Sequence, residues 1–138
     1  EDLNQDDDKT EKSNSRLKRD TPDKNTCHIM AVADYTFFSG PGGGFAHRTA
    51  NYIIETIKKV NRLYRETVWS NGMTGMGLQI KELRIHAEVT DRNSYHRNGR
   101  HYNMYNGETS WPYSDLLEQF GEDGDITKFC LAHLFTYR

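Results

Sequence analysis

A change in hydrophobic period constrains this chain more than any other feature. Ile29-Met30-Ala31-Val32-Ala33 is an unbroken apolar run that stops at Asp34. A run without alternation is what a strand covered on both faces requires. Beyond the loop Ser39-Gly40-Pro41-Gly42-Gly43-Gly44, which has no capacity for regular structure, the period lengthens. Ile53, Ile57, Val60 and Tyr64 stand at helical spacing, Ile54 and Leu63 widen the stripe, and Glu55, Lys58, Lys59, Arg62 and Arg65 take the opposite face. This predicts an amphipathic helix from about Thr49 to Arg65.

Alternation follows. Leu78 and Ile80 alternate with Gln79, then Leu83, Ile85 and Ala87 with Arg84 and His86, and the phase slips across Lys81-Glu82. One buried face survives such a slip only through a bulge, which is expected there. Residues 91–108 read as a polar loop. Ser110-Trp111-Pro112 opens a second helix, with Pro112 expected in its first turn and Tyr113, Leu116, Leu117 and Phe120 as its apolar stripe. Gly121 and the run Glu122–Asp125 end it, and that run reads as a solvated helix exit. Phe129–Phe135 is a second continuous strand, broken only by His133, which reads as a hydrogen-bonded core histidine. Strand, helix, strand, helix, strand defines the α/β class, with a mainly parallel sheet and the first strand central.

The 138 residues suffice for one compact domain. A net charge of -2 gives no global pull toward nucleic acid or anionic membrane. Residues 1–26 hold almost no large apolar side chains beyond Leu3 and Leu17, so they are expected to form a disordered tail. No run is long and apolar enough to span a membrane, and no leader resembles a signal peptide. The first methionine is Met30 and the chain ends at Arg138 directly after an apolar run, so a fragment of a longer protein is expected.

Three sets of residues invite a chemical reading. Strand, glycine loop and helix suggest phosphate binding, but the third position of G-x-G-x-x-G falls on Phe45 and no Gly-Lys-Ser/Thr is present. His28, His47, His86, His96, His101 and His133 are scattered, with no His-Glu-x-x-His pair. The run Glu122–Asp125 lacks the ligand alternation of a calcium loop. Arg16-Leu17-Lys18-Arg19 is the R-x-K-R pattern cut by proprotein convertases, at an exposed position shortly before order is expected to begin. Cys27 and Cys130 read equally as two buried thiols or as one disulfide closing a loop of roughly 100 residues.

Taken in order, several segments are similar to the start of the metalloprotease domain of the ADAM family, the membrane-anchored disintegrin metalloproteinases. They are Lys24-Asn25-Thr26-Cys27, Val32-Ala33-Asp34, Thr49-Ala50-Asn51-Tyr52, Gly77-Leu78-Gln79-Ile80, His101-Tyr102-Asn103-Met104, Leu116-Leu117-Glu118-Gln119-Phe120 and Cys130-Leu131-Ala132-His133-Leu134-Phe135-Thr136-Tyr137. The resemblance implies a metzincin-like N-terminal subdomain, residues 1–19 as propeptide remnant, 20–26 as linker and 27–138 as the first part of a catalytic domain. It further implies cleavage by a proprotein convertase at Arg16–Arg19, recognised through Arg16, Lys18 and Arg19, with Asp20 as the new N-terminus, and a disulfide between Cys27 and Cys130. The parent would be a type I membrane protein that uses zinc to shed membrane-protein ectodomains outside the cell.

The chain departs from the family at the decisive place. The edge strand and the His-Glu-x-x-His-x-x-Gly-x-x-His zinc helix, which follow the strand Phe129–Tyr137 in the family, are not in this sequence. The catalytic and metal-ligating residues are therefore expected to be absent from this chain, which should hydrolyse nothing alone. Residues 40–44 and 93–110 also differ from the family pattern. Two other classes compete: a genuine short non-catalytic binding module, and a nucleotide-binding α/β domain.

Overall fold

A computed structural model describes residues 25–91, 100–104 and 112–138. The elements are β1 (Thr26–Ala33), α1 (Tyr35–Ser39), α2 (Ala46–Glu66), β2 (Gly77–Ile85), α3 (Tyr113–Gly121), a 3-10 turn (Ile126–Lys128) and β3 (Leu131–Phe135). The strands form one sheet in the order β2-β1-β3, and both pairings are parallel. The fold is α/β, as the periods predict.

The central position of β1 explains its unbroken apolar run. Ile29, Ala31 and Ala33 point to the α2 side and pack with Phe37, Ile53, Ile57 and Phe135. Met30 and Val32 point to the α3 side and pack with Tyr102, Leu116 and Phe120. Residues 29–33 of β1 are fully buried, and each aliphatic side chain so placed contributes about 1.5–3 kcal/mol.

β2 shows why the phase slip is tolerated. Ile29 pairs with Ile80 and Met30 with Glu82, so Lys81 is the extra residue of a bulge. Leu78, Ile80, Leu83 and Ile85 therefore all pack on the α2 side. The other face of β2 is left to Glu82 and Arg84.

Several sequence expectations are corrected. The helix expected from Thr49 begins at Ala46, and Leu63, assigned to its apolar stripe, is 63% exposed. Pro112 stands at the N-cap of α3 in extended conformation, one residue ahead of the first turn. The buried stripe of α3 is only Leu116 and Phe120, because the helix touches the sheet along one line, and Tyr113 and Leu117 are 85% and 67% exposed. β3 starts at Leu131, since residues 126–128 form the 3-10 turn. His133 is exposed, on an edge strand that α2 does not reach across. Within the expected polar loop, His101 to Met104 belong to the core, with Tyr102 fully buried. The short helix α1 was not anticipated. Residues 1–24, Arg16–Arg19 among them, lie outside the described residues, whereas Thr26, expected in the disordered tail, already belongs to β1, and Asn25 accepts the Gly77 N–H.

Candidate functional site

In open parallel sheets, sites form at the carboxyl ends of the strands. Here those ends converge on one buried carboxylate. Asp34 follows β1 directly and has no exposed surface. Its Oδ1 accepts from the Phe37 N–H at 2.9 Å, capping α1, and from the Thr36 hydroxyl at 2.7 Å. Its Oδ2 accepts from the Thr136 hydroxyl at 2.6 Å and from Nη2 of Arg138 at 3.1 Å. A carboxylate withdrawn from water needs a donor set of this kind.

The same guanidinium donates to the Tyr102 carbonyl at 2.9 Å. Asn103, 2% exposed, accepts from the Tyr35 N–H at 2.7 Å and donates to the Glu88 carbonyl at 2.9 Å and the Thr90 hydroxyl at 3.0 Å. The ends of β1 and β3, the start of α1 and residues 88–90 and 101–104 are thus fastened together by polar side chains.

A second cluster borders the first. His86, just after β2, has Nε2 at 2.8 Å from the Tyr102 hydroxyl, and its ring meets that of His101 edge-on at 5.9 Å. Nδ1 of His101 accepts the Asn103 N–H at 3.1 Å, so that nitrogen carries no proton. Burial, with repulsion from His86 and Arg84 outweighing the pull of Asp123, pushes His101 down to about 4. Burial also lowers His86, assisted by Arg84, and raises the Tyr102 hydroxyl, assisted by Asp123. The run Glu122–Asp125 is not a merely solvated exit. Asp123 and Asp125 each bond Arg84 at 2.9 Å, as does Glu82 from the neighbouring position on β2.

The residues singled out in the sequence are distributed as follows. Cys27 and Cys130 are bonded, with S–S 2.03 Å and Cα–Cα 5.4 Å, and join the start of β1 to the residue before β3. Arg16, Lys18, Arg19 and His96 lie outside the described residues. His28, His47 and His133 are exposed at separate places, whereas His86 and His101 come together. The glycine loop is packed on α2: a Cβ on Gly42 would overlap the Thr49 hydroxyl and stand 2.5 Å from the Phe38 carbonyl. That hydroxyl is itself turned to the Phe45 carbonyl at 3.0 Å. A phosphate cradle would instead leave its donors facing outward.

Asp34, Asn103 and Arg138 were missed as a unit. Asp34 carried a local signal, since an aspartate closing an apolar run and followed by Thr-Phe-Phe fits a helix N-cap. Arg138 carried none, because its partner Asp34 is 104 residues away.

Residues 23–138 match the family described as Metallo-peptidase family M12. The chain belongs to that family, and its sheet, disulfide and helices are the N-terminal part of an ADAM-type catalytic domain. It is 30% identical, over 125 residues, to the Disintegrin and metalloproteinase domain-containing protein 17 homolog of Caenorhabditis elegans. That alignment covers 83% of this chain and 17% of the relative, so the chain spans about one sixth of the relative's length.

The family implies zinc. Among the described residues, no group of three or more His, Cys, Asp or Glu converges to hold a metal ion. The paired imidazoles of His86 and His101 supply two ligands at most, short of the three that a catalytic zinc site takes from the protein. Nor is any helix among the described residues long and apolar enough to cross a membrane.

Proposed function

We propose that this chain is the upper scaffold of a zinc metalloendopeptidase that sheds membrane-protein ectodomains, and that it does not hydrolyse peptides by itself. Within the family, the sequence resembles tumour necrosis factor-alpha converting enzyme. The carrying observation is that the M12 match coincides with the whole described fold, while the described residues gather no metal-ligand set. Two further features support the reading. Among the described residues β3 is paired to β1 on one side only, and on its α2 side Leu131 is 46% exposed and His133 is exposed. An unpaired edge and an uncovered face are places for more chain to pack. The edge strand and zinc helix of the family would occupy them, and the zinc-bound water and its general base would come from that part.

On this reading residues 1–19 are propeptide remnant, 20–26 are linker, and 27–138 begin the catalytic domain. A proprotein convertase cuts after Arg19, selecting Arg16, Lys18 and Arg19, and the parent acts on the extracellular side of the plasma membrane as a type I membrane protein. Digestion of the chain with a purified convertase should give a single new N-terminus at Asp20, and Arg19→Ala should abolish the cut. Cleavage elsewhere, or none, contradicts the maturation site. The peptidase reading is tested on the transcript: a continued reading frame without a His-Glu-x-x-His helix within about one hundred residues would remove it.

A further inference from the structure

We propose that the groove between α2 and the outer edge of β2 docks an extended peptide with an aliphatic side chain flanked by acidic ones. The groove is a cavity of about 400 Å³ whose floor is Ile54, Ile57, Leu78, Ile80 and Leu83. That volume falls in the range of ligand pockets. Except for Ile57, these side chains are only half-buried, so the floor is apolar surface that α2 leaves uncovered.

The wall on the sheet side is an edge strand. Gly77 and His86 direct their N–H groups to Asn25 and Ala33 on the β1 side. Strand alternation therefore turns the main chain of Leu78, Ile80, Leu83 and Ile85 to the open side. The Leu78 N–H is met there by the side-chain carbonyl of Asn61 at 2.8 Å, a side chain standing where a neighbouring strand would bond. An extended peptide laid beside β2 continues the ladder from Ile80 onward and sets alternate side chains over the floor.

Charge selects the flanking residues. Of the exposed cations of α2, two stand at this groove, Lys58 and Arg65. Lys58 lines the groove, held by Glu55 at 2.8 Å, and the Arg65 guanidinium lies across Gly77, where a Cβ would meet it at 2.7 Å. Lysine would be repelled from this rim, and a purely anionic polymer would leave the floor uncovered. Because side chains on one face of a strand are two residues apart, the fitting pattern is acidic-x-aliphatic-x-acidic.

The test uses the complete chain and a fluorescein-labelled peptide of sequence Gly-Asp-Thr-Leu-Thr-Asp-Thr-Gly, followed by fluorescence polarisation. Saturable binding is expected, weakened about tenfold or more by replacing the leucine with serine or both aspartates with lysine. The same loss is expected for the double variant Lys58→Glu/Arg65→Glu, with amide shifts of the wild-type chain concentrated at Ile80 and Leu83. Both substituted side chains are exposed, and circular dichroism checks the helix; should the double variant unfold, Arg65→Ala supplies the same comparison with a smaller loss. Equal affinity for the control peptides, undiminished binding to the charge variants, or no saturable binding up to about 1 mM would overturn the proposal.

Discussion

The two ends of β1 are fastened to β3 by different physics. At the entry end the tie is covalent, through Cys27 and Cys130. At the exit end it is polar, through Asp34, Thr136 and Arg138. The covalent tie acts chiefly by limiting the unfolded chain. The polar tie exists only in the folded state, where it also caps α1 and holds residues 101–104. One end restrains the ensemble the chain folds from, and the other organises the site it folds into.

Breaking the covalent end should have the largest effect. Reducing the disulfide releases a link across 103 residues and should cost about 4–5 kcal/mol in the chain-entropy model. Denaturant midpoints should fall, while the amide spectrum around Asp34 stays unchanged. Breaking the polar end comes next. Asp34→Ala leaves Arg138, 13% exposed, without its carboxylate and uncaps α1, a loss of about 3 kcal/mol. In contrast to reduction, it should shift the amide signals of Phe37, Asn103 and Tyr137 and speed unfolding, read by stopped-flow fluorescence.

A smaller effect is expected at Gly42, which lets the turn after α1 lie on α2. Gly42→Ala forces Thr49 or the Phe38 carbonyl to move and should cost about 1–3 kcal/mol by thermal melting. A pH dependence sharpens the comparison further. His101 titrates near 6.5 when unfolded and at about 4 when folded, so the unfolded chain binds more protons between those values. Its contribution is present above about 6.5, declines as pH falls toward about 4, and changes no further below. Urea titrations across this window should show that slope, and His101→Asn should reduce it, leaving the part that the lowered His86 contributes.

Strands and helices were legible because their periods are local. The continuous run 29–33 and the slip at Lys81-Glu82 each state a burial pattern that neighbouring residues suffice to reveal. Extents on the partner side were not. Leu63, Tyr113 and Leu117 sit at apolar spacing, yet α2 and α3 meet the sheet on narrower lines than the spacing allows. His133 could not be placed without knowing that α2 stops short of β3. The knot of Asp34, Asn103 and Arg138 was illegible for a stronger reason. Its members are polar and charged residues whose bonds reach across 68 and 104 positions, and no period relates them. The zinc chemistry belongs to a motif, and motifs are read directly as present or not in a sequence.

The central claim is that this chain supplies the scaffold of an M12 domain without its metal or base. The direct measurement is zinc content by mass spectrometry of the chain after loading and desalting, alongside turnover of a quenched fluorescent peptide. The expected result is no stoichiometric zinc and no chelator-sensitive hydrolysis. One retained zinc per chain, with hydrolysis abolished by a chelator, would contradict the claim.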